Sequence, residues 1–155
     1  MRKQRILETI ISLLVFIFLY ASLSKLSEYQ TFKFQLGRSP YIMRFADTIA
    51  WILPLGEIFV TIALVVKRMR LIGLYASLFL MVMFSAYIYA MMNYSYYVPC
   101  SCGGILSHMG WHTHLYFNLA FVGMSIAGIV IYEPDVASQK LIGTFQQYLH
   151  RISSI

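Results

Sequence analysis

The run ILETIISLLVFIFLYASLSKL, residues 6–26, decides the fold. It is nearly unbroken apolar sequence of about the twenty residues that a helix needs to cross a hydrocarbon core of ~30 Å. Arg2, Lys3 and Arg5 precede it. A secretory signal would carry a shorter apolar core and a small-residue cleavage site. The run therefore reads as a retained first span, with its basic start in the cytoplasm. Glu8 falls in the first turns, where a carboxylate interacts favourably with the helix dipole. Lys25 falls near the outer end, where its ammonium is expected to snorkel to the interface.

Outward from this run, the whole chain has the same character. Of its 155 residues, 59% are hydrophobic and 12% charged, with a mean hydropathy of +0.69. A soluble domain averages about 45–50% apolar and about 25% charged. The net charge of +6 is carried by basic residues at the ends of apolar runs. That placement suits membrane orientation and argues against nucleic acid as a partner. Two cysteines are too few for a disulfide framework.

Three further apolar runs follow. A second span is expected at about 47–66 and contains Pro54 and Glu57. The basic turn Lys67-Arg68-Met69-Arg70 separates it from a third span at about 71–92. A fourth, at about 114–132, carries Asn118 and the small residues Gly123, Ser125 and Gly128, which suit close helix contact. Tyr75, Tyr87, Tyr89 and the methionines of the third span read as packing residues. Residues 29–36 read either as a short interfacial helix or as an ordered external loop, with Gly37 and Pro40 as breakers. In the tail, Leu141, Phe145, Tyr148, Leu149 and Ile152 recur at helical spacing, as in an amphipathic helix on a membrane surface. The expected fold is all-α: an integral membrane four-helix bundle over residues 1–132, then a C-terminal amphipathic interfacial helix over residues 133–155.

Orientation follows from the basic residues. Eight of them (Arg2, Lys3, Arg5, Lys67, Arg68, Arg70, Lys140 and Arg151) would be cytoplasmic and four (Lys25, Lys33, Arg38 and Arg44) external. Both termini are therefore expected inside. The segment between the third and fourth spans then faces outward, where disulfides form and persist.

That segment contains Pro99-Cys100-Ser101-Cys102-Gly103-Gly104, then His108, Trp111, His112 and His114. A disulfide between Cys100 and Cys102 would close a small strained ring, and strained, exposed disulfides are the labile and catalytic ones. Gly103 and Gly104 free the backbone for the turn. The functional reading is a dithiol/disulfide pair exchanging with another protein or a quinone, with Cys100 attacking and Cys102 resolving. The competing reading is a pair of inert thiols. His108, His112 and His114 extend the pair toward a soft-metal set of the copper or zinc type, but the spacing matches no closed zinc pattern, so no metal site is assigned. A histidine near the pair would instead stabilise a thiolate or move its proton. Trp111 reads as part of an aromatic belt. Glu57, near mid-span, is costly there and calls for a partner or a cavity. It is expected to be protonated, or hydrogen-bonded to Ser22, Ser24, Lys25 or a tyrosine, in a packing role or in the redox site.

The segments 21–26 (ASLSKL) and 53–57 (LPLGE), with the basic turn at 67–70, resemble the DoxX-like four-helix membrane proteins. With Cys100-Ser101-Cys102-Gly103-Gly104 and Asn118 added, the nearer likeness is to the methylamine utilisation protein MauE branch. The resemblance implies a bundle in the bacterial inner membrane, broadly like that of vitamin K epoxide reductases. It also implies a periplasmic thioredoxin-like partner in disulfide formation. Cys100 and Cys102 correspond to the branch's cysteine pair and Glu57 to its acidic residue. Gly103-Gly104 stands where the branch carries Phe-Gly, and the histidine run is additional. The likeness therefore bears on redox chemistry more than on methylamine.

Taken together, the sequence points to a membrane thiol–disulfide relay embedded in lipid, with a quinone as the candidate cofactor. Its candidate catalytic residues are Cys100, Cys102, Glu57, His108, His112 and His114. Two rival readings are a non-catalytic scaffold or assembly subunit of a larger membrane complex, and a metal-handling protein using the Cys/His loop.

Overall fold

A computed structural model describes residues 2–38, 42–94 and 110–132. Within them lie helices α1 (Arg2–Ser27), α2 (Tyr29–Gly37), α3 (Ala46–Val65), α4 (Arg70–Tyr94) and α5 (Trp111–Ile131). Short 3₁₀ turns at Met43–Phe45 and Lys67–Met69 lead into α3 and α4. Helices α1 and α5, and α3 and α4 each with its leading turn, are long and apolar enough to cross a membrane. The fold is the all-α four-helix membrane bundle that the sequence implies.

The four long helices close a ring in which α1 packs on α3, α3 on α4, α4 on α5, and α5 back on α1. Each turns one stripe inward. On α1 the buried positions are Leu7, Ile10, Ile11, Leu14, Ile17, Phe18, Ser22 and Lys25, the three- and four-residue spacing of one helix face. On α3 the stripe runs Ala46, Ala50, Pro54, Glu57, Thr61 and Leu64. The opposite faces present Phe16, Phe59, Phe79, Tyr116 and Val130 outward, as lipid contact requires.

Lipid is as apolar as leucine, so hydrophobicity alone cannot draw such helices together; close packing and hydrogen bonds do so. Gly73 shows this directly. A Cβ there would lie 2.8 Å from the Leu64 backbone nitrogen, so only glycine lets α4 approach α3 beside their turn. Gly128 of α5 lies against Leu74, where a Cβ would meet Leu74 Cδ2 at 2.9 Å. Ser77 and Ser125 share a buried hydrogen bond of 3.1 Å between α4 and α5. Gly123, expected to join this contact, instead faces outward with open space around its Cα. It lies two residues from Ser125, and positions two apart on a helix do not share a face.

The dry core lies toward the α3–α4 turn, where Leu7, Leu14 and Phe18 meet Val60, Leu64, Leu74 and Met81. Of the two readings for residues 29–36, the helix is the one that forms. Helix α2 sets Phe32 and Leu36 against Ala46 and Ala50 of α3. An exposed ion pair, Lys33 to Asp47 at 2.9 Å, joins the same two elements. That hydrogen bond, and then the carboxylate charge, holds the Lys33 ammonium above its ordinary pKa. The aromatic residues of α4 divide: Tyr75 and Tyr89 point outward, while Tyr87 faces a cavity at the other end of the bundle. The expected tail helix, residues 133–155, lies outside the described residues.

Candidate functional site

The inward stripes of α1 and α3 both become polar toward the end of the bundle away from the α3–α4 turn. The α1 stripe passes from Phe18 through Ser22 to Lys25. The α3 stripe carries Pro54 and, one turn on, Glu57. Proline removes a backbone donor from the helix, so α3 is locally weakened beside its one internal carboxylate. The two polar positions meet. Lys25 Nζ donates to Glu57 Oε1 at 2.8 Å, with side-chain exposures of 8% and 0%.

This corrects one expectation. Lys25 does not snorkel outward; it turns inward, because its position continues the buried stripe of α1. Its Nζ also donates to the Ala21 carbonyl at 3.3 Å. It lies 5.9 Å from the Phe32 ring centre and 5.8 Å from that of Phe84. Two cation–π contacts thus add to the ion pair. Of the partners considered for Glu57, Lys25 is the one in place. The Ser22 hydroxyl donates instead to the Leu19 carbonyl. Thr61 donates to the Glu57 backbone carbonyl at 2.9 Å. Among the described residues, Glu57 Oε2 is buried and accepts no hydrogen bond.

Helix α5 contributes the remaining polar groups. Its inward stripe is His114, Asn118, Ser125 and Gly128. His114 and Asn118 line the cavity that holds Lys25 and Glu57. His112 is exposed. Two residues apart, His112 and His114 are turned by about 200° from each other on a 3.6-residue helix, so the structure does not bring them together. Cys100, Cys102 and His108 lie outside the described residues. Their segment, residues 95–109, joins Tyr94 to Gly110. Gly110 is only four residues before His114, and His114 N donates to the Gly110 carbonyl at 2.9 Å. Among the described residues, no group of three or more His, Cys, Asp or Glu side chains is placed to hold a metal.

The cavity has a volume of about 270 Å³. Its walls are mostly apolar, with Lys25, Glu57, His114 and Asn118 as the polar exceptions. Sequence reasoning singled out Glu57 and His114 and named Lys25 as one of several candidate partners of Glu57, but it did not place Asn118 in a site. The signal for Lys25 was the spacing Leu14, Phe18, Ser22, Lys25. Chemically, the cluster offers a balanced charge pair with one carboxylate oxygen free to accept, beside an imidazole and an amide.

No curated protein and no solved structure matches this chain. A family description does: methylamine utilisation protein MauE, over residues 3–131. That range takes in all four long helices and the Lys25–Glu57 pair, and on that match the chain belongs to the MauE family of membrane proteins.

Proposed function

We propose that the protein is a thiol–disulfide relay of the bacterial inner membrane, working through Cys100 and Cys102 on the periplasmic side with both termini cytoplasmic. The supporting observation is the buried Lys25–Glu57 pair. A membrane bundle keeps an internal ion pair where a function needs it. This one shares a cavity with His114, close in sequence to the cysteine segment. The inward turn of Lys25 also sharpens the charge asymmetry. Without it, the external segments keep Lys33, Arg38 and Arg44 against eight cytoplasmic basic residues.

In the forward direction, the Cys100 thiolate attacks the disulfide of a thioredoxin-like partner and forms a mixed disulfide, releasing one partner thiolate. Cys102, deprotonated, then attacks Cys100 and releases the second. One disulfide is broken and one formed, and two electrons and two protons pass to the partner. The reverse reaction oxidises the partner. Glu57 and His114 are the candidate proton carriers within the bundle, and His108 and His112 those nearer the cysteines in sequence. Within a family named for methylamine utilisation, this role is that of a membrane accessory protein supporting the maturation of an exported protein.

The test is thiol labelling of the reduced and oxidised protein in native membranes, with trapping by Cys102→Ser. The expected result is a redox-dependent change in labelling of both cysteines and a mixed disulfide in the variant. A protein whose cysteines label identically in both states, with nothing trapped, is not a relay. Function retained by the Cys100→Ser/Cys102→Ser protein would assign a scaffold role instead.

A further inference from the structure

We infer that the cavity beside Lys25 and Glu57 binds a neutral, lipid-soluble hydroquinone, with its ring head at Glu57 and its tail toward the lipid. Four observations on the described helices carry this, and none involves the cysteines.

The first is the orphaned acceptor. Glu57 lines the cavity, and among the described residues its Oε2 is buried and accepts nothing. A buried acceptor left unmade is costly, so the fitting occupant carries a donor. The second is charge. Lys25 and Glu57 already balance each other, and a charged ligand would leave one charge uncompensated at membrane depth. The occupant is therefore neutral, and a hydroxyl is the neutral donor that suits a carboxylate. Among the described residues, Lys25 uses two of its three N–H groups, on Glu57 and on Ala21. The third suits an acceptor oxygen on the same ligand.

The third observation is the wall. Phe18, Phe32, Phe84, Tyr87 and Phe117 line the cavity, which suits a ring. A cavity of about 150 Å³ admits benzene, so about 270 Å³ admits a substituted ring and the start of a chain. The fourth is the route. Phe79 and Met83 also line the cavity, and both are more than half exposed on the outer face of α4. The cavity thus reaches the lipid-facing side, where a lipid-soluble molecule enters.

A hydroquinone meets all four conditions. A simple acyl chain leaves Glu57 Oε2 unserved and the ring walls unused. A quinone offers acceptors but no donor for Glu57, so the reduced form binds more tightly.

The experiment is equilibrium dialysis of the full-length protein in detergent against four probes with one decyl tail. These are a benzohydroquinone, its quinone, its dimethyl ether and decanol. The expected result is saturable binding of the hydroquinone, at least tenfold tighter than the dimethyl ether and the alcohol, with the quinone weaker than the hydroquinone. Ala21→Phe, which fills the cavity without replacing a polar side chain, is expected to abolish binding. Met83→Trp, at the exposed edge, is expected to weaken it and serves where Ala21→Phe does not fold. Equal affinity for the hydroquinone and its dimethyl ether overturns the proposal, as does equal affinity for decanol. So does binding unchanged by either folded variant.

Discussion

Lys25 and Glu57, 32 residues apart in sequence, meet at 2.8 Å inside the bundle and tie α1 to α3. Both are essentially withdrawn from solvent, with side-chain exposures of 8% and 0%. Removing one partner leaves an uncompensated buried charge, which costs about 3–5 kcal/mol, whereas replacing both with apolar residues is often close to neutral. Lys25→Met and Glu57→Leu should each lower the unfolding midpoint sharply. The double variant should regain most of the loss. Thermal melts of the three proteins in one detergent give the cycle; additive losses would mean that the pair does not act as a unit.

The α3–α4 contact makes a second, geometric prediction. Gly73→Ala places a methyl group 2.8 Å from the Leu64 backbone nitrogen, and backbone cannot move aside as a flexible side chain can. Overpacking of this kind costs about 1–3 kcal/mol. Gly123→Ala meets nothing within 4 Å. It should be neutral, or stabilising by up to about 1 kcal/mol through helix propensity. Comparing the two melts separates packing from propensity.

The serine pair between α4 and α5 should show a small but real coupling. Ser77 and Ser125 lie 3.1 Å apart and are fully buried. Interhelical hydrogen bonds in membranes average about 0.6 kcal/mol. A cycle of Ser77→Ala, Ser125→Ala and the double variant should return a coupling of about that size, and a null coupling would assign the contact to packing alone.

Lys33 and Asp47 make the contrasting case at the surface. The ammonium is held above its ordinary pKa of 10.5 by the hydrogen bond to Asp47 and then by its charge. Because the folded value is raised, any stabilisation is fully present below pH 10.5 and is lost as pH rises through the folded value. The pair is solvent-screened. Lys33→Gln should leave the melting midpoint at neutral pH nearly unchanged, and any difference should vanish in about 1 M salt. A large, salt-insensitive loss would show that α2 depends on this contact.

The four apolar runs were legible because crossing a hydrocarbon layer is a demand on length and composition, which a chain displays openly. Glu57 was legible as a residue needing a partner for the same reason. Which of Ser22, Ser24, Lys25 or a tyrosine is that partner was not, because it depends on how far α1 is rotated about its own axis. A lysine near a helix end satisfies two rules at once, snorkelling and inward pairing. Only the stripe Leu14, Phe18, Ser22, Lys25, followed to its end, separates them. His112 and His114 look like one cluster on paper, yet the turn of the helix sends one outward and the other into the cavity. Asn118 shares the His114 face one turn on, and its place in the cavity that Glu57 also lines emerges only when α5 docks.

The Lys25–Glu57 pair also bears on how the molecule is made. Helix α1 leaves the ribosome carrying a cation whose counter-ion follows 32 residues later, a delay of roughly 2–6 seconds at 5–20 residues per second. During that interval Lys25, in the last turn of α1, has no internal counter-ion and its ammonium is served by the interface instead. The inward turn of Lys25 therefore belongs to a late step, the docking of α1 on α3 once the glutamate is in the membrane.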